Sequence, residues 1–231
     1  MQIHGFNKLT LLDYPGHLAA TIFLGGCNMR CPFCHNASLV TRAATVPTIA
    51  EDEVLSYLMK RRNILEGICI TGGEPTLYPE LPLLIAKIKE LGYRVKLDTN
   101  GTNPAMLKSL AKDHFIDYVA MDIKNSKIKY PITSGNSILN MDFIEESIRF
   151  LIDGSLDYEF RTTLVKELHN EEDMHSIGDW IKEAKAYYLQ SYQDSDDILS
   201  PGYHSHTKDM LSTFVSILEK YIHNVTLRGV D

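Results

Sequence analysis

The feature that most limits the fold is an alternation of short apolar runs with longer amphipathic stretches. Ala19-Ala20-Thr21-Ile22-Phe23-Leu24 has a buried-strand pattern and ends in Gly25-Gly26. Gly67 to Thr71 repeats it and closes on Gly72-Gly73. Further strand patterns run over Tyr93–Leu97, Ile116–Ile123, Leu156–Leu164 and Ala186–Gln193, with a last short one at Val225–Leu227. Helices are predicted between them. One starts at Thr48, which forms a capping-box pattern with Glu51, and runs to about Arg62. Another spans Pro79 to Leu91, with Leu81, Leu84, Ile85 and Ile88 at helical spacing and Gly92 as its stop. Others cover Pro104–Lys112, Asp142–Ile152, Glu171–Lys185 (Ile177 and Trp180 inward) and Thr207–Tyr221. The stretch with Pro131 and Gly135, and the polar run from Gln193 to Ser205, read as loops. Strands alternating with helices imply parallel βαβ units and an α/β fold whose sheet curls toward a barrel. In such folds the carboxyl ends of the strands carry the chemistry.

Composition narrows the class. The 231 residues are 44% hydrophobic and 23% charged, which suits a globular chain with a sizeable core. No linker or repeat divides them, so one domain is expected over 1–231, with a core of about 17–193 and a C-terminal helical extension of about 206–231. A formal charge of −7 argues against nucleic acid and against an anionic membrane as partner. The N-terminal residues lack the apolar region of a secretory signal, and no apolar run approaches the roughly 18 residues of a membrane span. Three of the four cysteines cluster within eight residues, a pattern of metal binding in a reducing compartment, here the cytoplasm.

That cluster is Cys27, Cys31 and Cys34, spaced C-x3-C-x2-C on one short loop. Structural zinc is normally closed by four ligands, and no neighbouring Cys or His supplies a fourth at finger spacing. A cubane iron–sulfur cluster on three thiolates keeps one iron open for a substrate or cofactor. The bland reading is a structural zinc site or small core residues. Polar residues gather after the other strands too. Thr71-Gly72-Gly73-Glu74-Pro75 is either a plain glycine turn with an acid or an acceptor site for an ammonium. Asp98-Thr99-Asn100-Gly101 is either an Asx-type turn or a polar cup for a cofactor or a cation. Asp122 and Lys124 are either a solvated pair or a carboxylate-binding group. Arg161, in mid-strand, needs a polar partner whether its role is structural or functional. Cys69 reads as core, the scattered histidines, His169 among them, have no assigned role, and Asp194–Asp197 reads as a solvated loop that could touch a partner.

Taken together, C-x3-C-x2-C with Phe33 before the last cysteine resembles the radical-SAM superfamily, whose three cysteines hold a [4Fe-4S] cluster while S-adenosyl-L-methionine chelates the fourth iron. The trailing His35-Asn36, with Gly-Gly-Glu, Asp-Thr-Asn-Gly and Asp-Ile-Lys in order, is similar to its glycyl-radical-enzyme activating group. Leu11-Leu12-Asp13-Tyr14-Pro15-Gly16 looks like the activating protein of anaerobic ribonucleoside-triphosphate reductase, in its longer form. The resemblance implies a partial (β/α)6 barrel and a radical-SAM oxidoreductase activity that generates a glycyl radical on a partner enzyme, with a flavodoxin-type electron donor. It also implies Cys27, Cys31 and Cys34 as metal ligands, no catalytic side chain beyond the cluster and bound cofactor, and cofactor contacts from Phe33, His35, Gly72, Gly73, Glu74, Asp98, Asn100, Asp122, Lys124 and Arg161. Alternatives are a radical-SAM enzyme acting on a small molecule, as deazapurine synthases do, a pyruvate formate-lyase-type activase, and a non-enzymatic zinc module.

Overall fold

The computed structural model describes residues 1–230. In chain order the elements are β1 (Ile3–Thr10), β2 (Ala19–Leu24), α1 (Ala37–Thr41), α2 (Glu51–Arg61), β3 (Gly67–Gly72), α3 (Leu81–Glu90), β4 (Arg94–Thr99) and α4 (Pro104–Lys112). Then follow β5 (Tyr118–Asp122), α5 (Tyr130–Ser134), α6 (Met141–Asp153), β6 (Asp157–Leu164), α7 (Glu171–Trp180), β7 (Tyr187–Ser191), α8 (Lys208–Leu218) and β8 (Val225–Arg228). Among the described residues no helix is long and apolar enough to cross a membrane. Two compact units emerge: Met1–Asn28 with Ser38–Ala120, and Met29–Ala37 with the chain from Met121 onward.

In the first unit β2, β3 and β4 are parallel neighbours, in register at Ile22↔Ile70 and Ile70↔Leu97. Side chains alternate across a strand. Ile22, Leu24, Ile68, Ile70, Val95 and Leu97 therefore share one face, and all are fully buried. Helix α3 packs on β4 and α2 on α3, bringing Leu58, Leu84 and Ile88 into this core. The opposite face carries Thr21, Phe23, Cys69, Thr71, Lys96 and Asp98. Cys69 is buried as expected, but it belongs to this polar face and not to that of its isoleucine neighbours.

In the second unit β6, β7 and β8 are parallel, in register at Phe160↔Tyr187↔Val225. Phe160, Thr162 and Leu164 lie on one face, while Arg161 and Thr163 lie on the other with Tyr188, Gln190 and Arg228. Helix α8 packs against α7 and β8, and Tyr130 meets Trp180 edge to face.

Besides the short helix α1, which was not expected, four details depart from the sequence expectation. Strand β1, antiparallel to β2, was not anticipated, because Gly5, Asn7 and Lys8 break any apolar alternation. The Thr48–Glu51 capping box does not form. Ile49 donates its N–H to the Ile3 carbonyl at 2.8 Å, which keeps that stretch extended, and α2 starts at Glu51 after Ala50. The loop around Pro131 contains α5, with Pro131 in its first turn and Gly135 ending it at φ +63°. Helix α7 stops at Trp180 rather than Lys185.

Candidate active site

In the first unit the carboxyl ends of β2 and β3 meet through backbone contacts that only glycine permits, and β4 joins them through the Glu74 side chain. Gly73 N–H donates to the Leu24 carbonyl and Glu74 N–H to that of Gly26, each at 2.8 Å. A Cβ on Gly72 would lie 2.3 Å from the Leu24 oxygen, and one on Gly73 1.9 Å from the Gly26 oxygen. Gly72 also has φ +114°, which disfavours any side chain. The paired glycines therefore bring the β3 turn directly onto the turn leading to Cys27.

Glu74 is buried at 1% exposure. Its Oε1 accepts the Thr76 N–H at 3.1 Å, the Thr76 hydroxyl at 2.6 Å and the Thr99 hydroxyl at 2.8 Å, while Oε2 accepts the Asn100 N–H at 2.6 Å. Burial pushes the carboxyl pKa up, against the pull of these donors. Asn100 donates from Nδ2 to the Asn28 side-chain oxygen at 2.9 Å and to the Cys27 sulfur at 3.8 Å. Its Oδ1 accepts the Thr102 N–H and hydroxyl, and Thr102 accepts from Asn28. Asn100 thus ties the β4 turn to the first cysteine. Asp98 accepts the Thr71 hydroxyl at 3.1 Å and pairs with Lys96.

In the second unit the loop with Cys31 and Cys34 is clamped by backbone groups. Arg30 N–H donates to the Ser134 carbonyl at 2.8 Å, Ser200 N–H to that of Pro32 at 2.8 Å and Ala37 N–H to that of Asp197 at 3.3 Å. The Cys31 sulfur lies 3.7 Å from the Ser134 oxygen. Phe33 is buried. His35 donates from Nε2 to the Gln193 carbonyl at 2.6 Å and stacks on Tyr192 at 5.5 Å between ring centres. The polar stretch after β7, expected to be a solvated loop, therefore holds the cysteine loop in place. Backbone donors and acceptors leave no mark in the sequence.

Lys124 pairs with Asp122 at 2.9 Å, and Arg161 reaches the other Asp122 oxygen from Nε and Nη2 at 3.0 Å. Burial resists ionisation of Asp122, but Lys124 and Arg161 outweigh it and hold its pKa down to about 2. Burial also works against the Lys124 charge, and Asp122 and then Cys31 overcome it, so its pKa is raised. Asp122 is thus shared by two cations. His169, to which sequence reasoning assigned no role, is 2% exposed. It donates from Nε2 to the Lys124 carbonyl at 2.9 Å and accepts the Val165 N–H on Nδ1 at 3.1 Å. Burial pushes its pKa down, so it stays neutral. On the Arg161 face of this unit, a cavity of about 220 Å³ is bordered by His35, Thr163, Gln190, Gln193 and Arg228.

The donor set fits an iron–sulfur cluster. Cys27, Cys31 and Cys34 are free thiols, with Cys31 buried and the other two half-buried. Burial pushes the Cys31 pKa up to about 11, against the pull of Lys124, and raises that of Cys34. Buried thiols of this kind gain from a positive metal partner that takes the thiolate. Among the described residues no group of three His, Cys, Asp or Glu side chains is arranged around a single metal ion.

Residues 21–181 match the family model of the radical SAM superfamily. The chain belongs to that superfamily. Its cofactors are accordingly a [4Fe-4S] cluster and S-adenosylmethionine. It is 34% identical to a Methanocaldococcus jannaschii protein provisionally named a glycyl-radical enzyme activating enzyme, over 99% of this chain and 96% of that one. It is 32% identical to the pyruvate formate-lyase-activating enzyme of Clostridium pasteurianum, over 54% of this chain and 52% of the enzyme. Among solved structures, Streptococcus suis SuiB superposes with a TM-score of 0.71 at 16% identity, covering 91% of this chain and 49% of SuiB. The matched part spans about half the length of the activating enzyme and about half that of SuiB. The structural likeness shows the fold, the mostly parallel α/β partial barrel of radical-SAM enzymes.

Proposed function

We propose that this chain is an activating enzyme that generates a glycyl radical on a partner enzyme in the cytoplasm, and that the partner is an anaerobic ribonucleoside-triphosphate reductase. The observation that carries the first part is the match along nearly the whole length of the archaeal relative. The Leu11 to Gly16 stretch supports the choice of partner.

In this reading Cys27, Cys31 and Cys34 hold the cluster. Together with S-adenosylmethionine, the cluster supplies one-electron cleavage of a sulfonium carbon–sulfur bond and a radical able to take a hydrogen atom from a glycine. A flavodoxin-type protein delivers the electron. The protein's own residues bind and orient. The Lys124 ammonium, whose Asp122 partner Arg161 also binds, takes the cofactor carboxylate. The Gly72–Gly73 backbone and Oε2 of Glu74 accept the cofactor ammonium. Oε1 already serves three donors, so Oε2 is the oxygen with room. Asp98 and Asn100 line the polar cup, and Asn100 steadies Cys27. Phe33 offers the adenine an apolar wall, with His35 beside it. The cavity at the ends of β6 to β8 offers the Gln190 and Gln193 amides and the Thr163 hydroxyl, with His35 and the Arg228 guanidinium at its border, donors and acceptors that a peptide backbone can use.

The test is anaerobic reconstitution of the chain with iron and sulfide, then reduction with S-adenosylmethionine in the absence and presence of a candidate reductase. Formation of 5′-deoxyadenosine, and a glycyl doublet in the EPR spectrum once the reductase is added, are expected. No 5′-deoxyadenosine overturns the radical chemistry, while 5′-deoxyadenosine with no doublet overturns the partner.

A further inference from the structure

Lys96 is buried in the first unit and has no part in the chemistry assigned so far. It stands on β4 with 2% of its side chain exposed. Its ammonium makes a short ion pair with Asp98 and lies 3.8 Å from the Cys69 sulfur. Asp98 also accepts the Thr71 hydroxyl at 3.1 Å and lies 3.7 Å from the Cys69 sulfur. Cys69 and Lys96 are register partners, so Cys69, Thr71, Lys96 and Asp98 form one patch on the polar face of β3 and β4.

Taking two charges out of water is costly, and a well-packed apolar pair at such a place is often no less stable. What the pair fixes lies in the next two residues. Thr99 and Asn100 follow Asp98 directly, and they bind Glu74, Asn28 and the Cys27 sulfur. Turning Asp98 outward would carry that turn with it. A carboxylate beside a hydroxyl is also a set of hard oxygen donors, which draws a cation. One ammonium supplies the single positive charge needed to balance it.

We propose that Lys96 is a positioning residue acting as a tethered counter-ion. It neutralises Asp98 from within the sheet, fixes the turn that presents Asn100 to Cys27, and fills the place that a soluble monovalent cation would otherwise take. This goes beyond the activating function proposed above, and its test does not depend on that function.

The full-length protein is compared in potassium chloride and in tetramethylammonium chloride at equal ionic strength, the second cation being too large to enter the interior. The expected wild-type result is the same unfolding midpoint in both salts and, after reconstitution, the same affinity for S-adenosylmethionine. Lys96→Ala is expected to unfold several degrees lower in tetramethylammonium and to regain part of that loss in potassium or methylammonium chloride. The regain is expected to vanish in Lys96→Ala/Asp98→Asn, a response that lost packing alone would not produce. A wild type that gains midpoint or affinity from potassium overturns the proposal. So does a Lys96→Ala midpoint equal to wild type in tetramethylammonium, or a regain that survives Asp98→Asn. If Lys96→Ala does not fold, the wild-type comparison decides alone. None of these readouts uses a glycyl radical, so failure of the activating function and failure of this proposal are distinguishable.

Discussion

The Thr99 hydroxyl donates to Oε1 of Glu74 at 2.8 Å, joining the turn that ends β4 to the turn that ends β3. With the Asn100 N–H on Oε2, the acid of the Gly-Gly-Glu turn is a brace between two strand ends as well as an acceptor for a ligand. The residue that faces the cofactor's ammonium in the proposed reading therefore also sets the position of the residue that reaches Cys27.

Glu74→Gln tests this double role. An amide in the same place must turn its NH2 toward at least one of the donors that the carboxylate now accepts. The expected cost is about 1–3 kcal/mol of stability, together with weaker binding of S-adenosylmethionine. Denaturant unfolding of the protein without its cofactors isolates the first effect. The pH dependence has a definite sign. The folded pKa is raised, so this group's contribution is most favourable at low pH. It declines as pH rises from the unfolded value of about 4.3 through the folded one. The glutamine variant should lack that decline. A variant with wild-type stability at every pH would show that the carboxylate braces nothing.

Asp122 gives the opposite sign. Its folded pKa is held near 2, below the unfolded value, so its stabilisation is complete above about 4 and is lost as pH falls toward 2. About a third of the side chain is exposed, which screens the pair, so the loss should be on the order of 1–2 kcal/mol. Asp122→Asn should flatten this acid limb. At neutral pH it should destabilise by roughly 3 kcal/mol, because the carboxylate that Lys124 and Arg161 both face becomes a neutral amide. Urea midpoints measured between pH 2 and 7 check both statements.

Much of this architecture was legible in the chain because apolar runs and glycine stops carry local signals. The pattern Leu81, Leu84, Ile85, Ile88 with Gly92 after it marks α3 nearly to the residue. What stayed hidden depends on partners far away in sequence. Ile49 is extended because Ile3 claims its N–H, and no window around Thr48 contains that fact. Pro131 looks like a loop signal, yet proline also suits the first turn of a helix such as α5. In the site, residue types named the cysteines and the acids, but the side-chain direction of Lys96 and the backbone groups of Ser134, Asp197 and Ser200 were invisible. An alternating strand does not say which face is wet, and every residue type carries the same carbonyl.

His169 is the site residue that sequence reasoning passed over. Its neutral ring links the Lys124 carbonyl to the Val165 N–H. His169→Leu would leave both groups buried without this partner, at a cost of about 1–3 kcal/mol. It should also weaken S-adenosylmethionine binding, because Lys124 loses its backbone support. Since the folded pKa is lowered, the wild-type contribution is complete above about 6.5 and is lost as pH falls through the folded value. Stability profiles of wild type and variant should therefore converge on the acid side. Profiles that stay parallel from pH 8 down to 5 would count against this role.

The four cysteines provide a control within one protein. Cys27, Cys31 and Cys34 share a loop, whereas Cys69 lies on the polar face of β3 beside Lys96 and Asp98, where Lys96 pairs with Asp98. After anaerobic reconstitution, Cys27→Ala, Cys31→Ala and Cys34→Ala should each lose the visible absorbance of the cluster, with iron and sulfide far below wild type. Cys69→Ala should retain both, because it removes only a small buried thiol, and its effect should appear as a modest fall in unfolding midpoint. Iron and sulfide assays on the four variants, normalised to protein, read the outcome directly. A full complement in Cys31→Ala, or a loss in Cys69→Ala equal to that of the loop variants, would show that the ligand set is not the one on the loop. Because the assay needs neither S-adenosylmethionine nor a partner enzyme, it separates the ligand assignment from the choice of substrate.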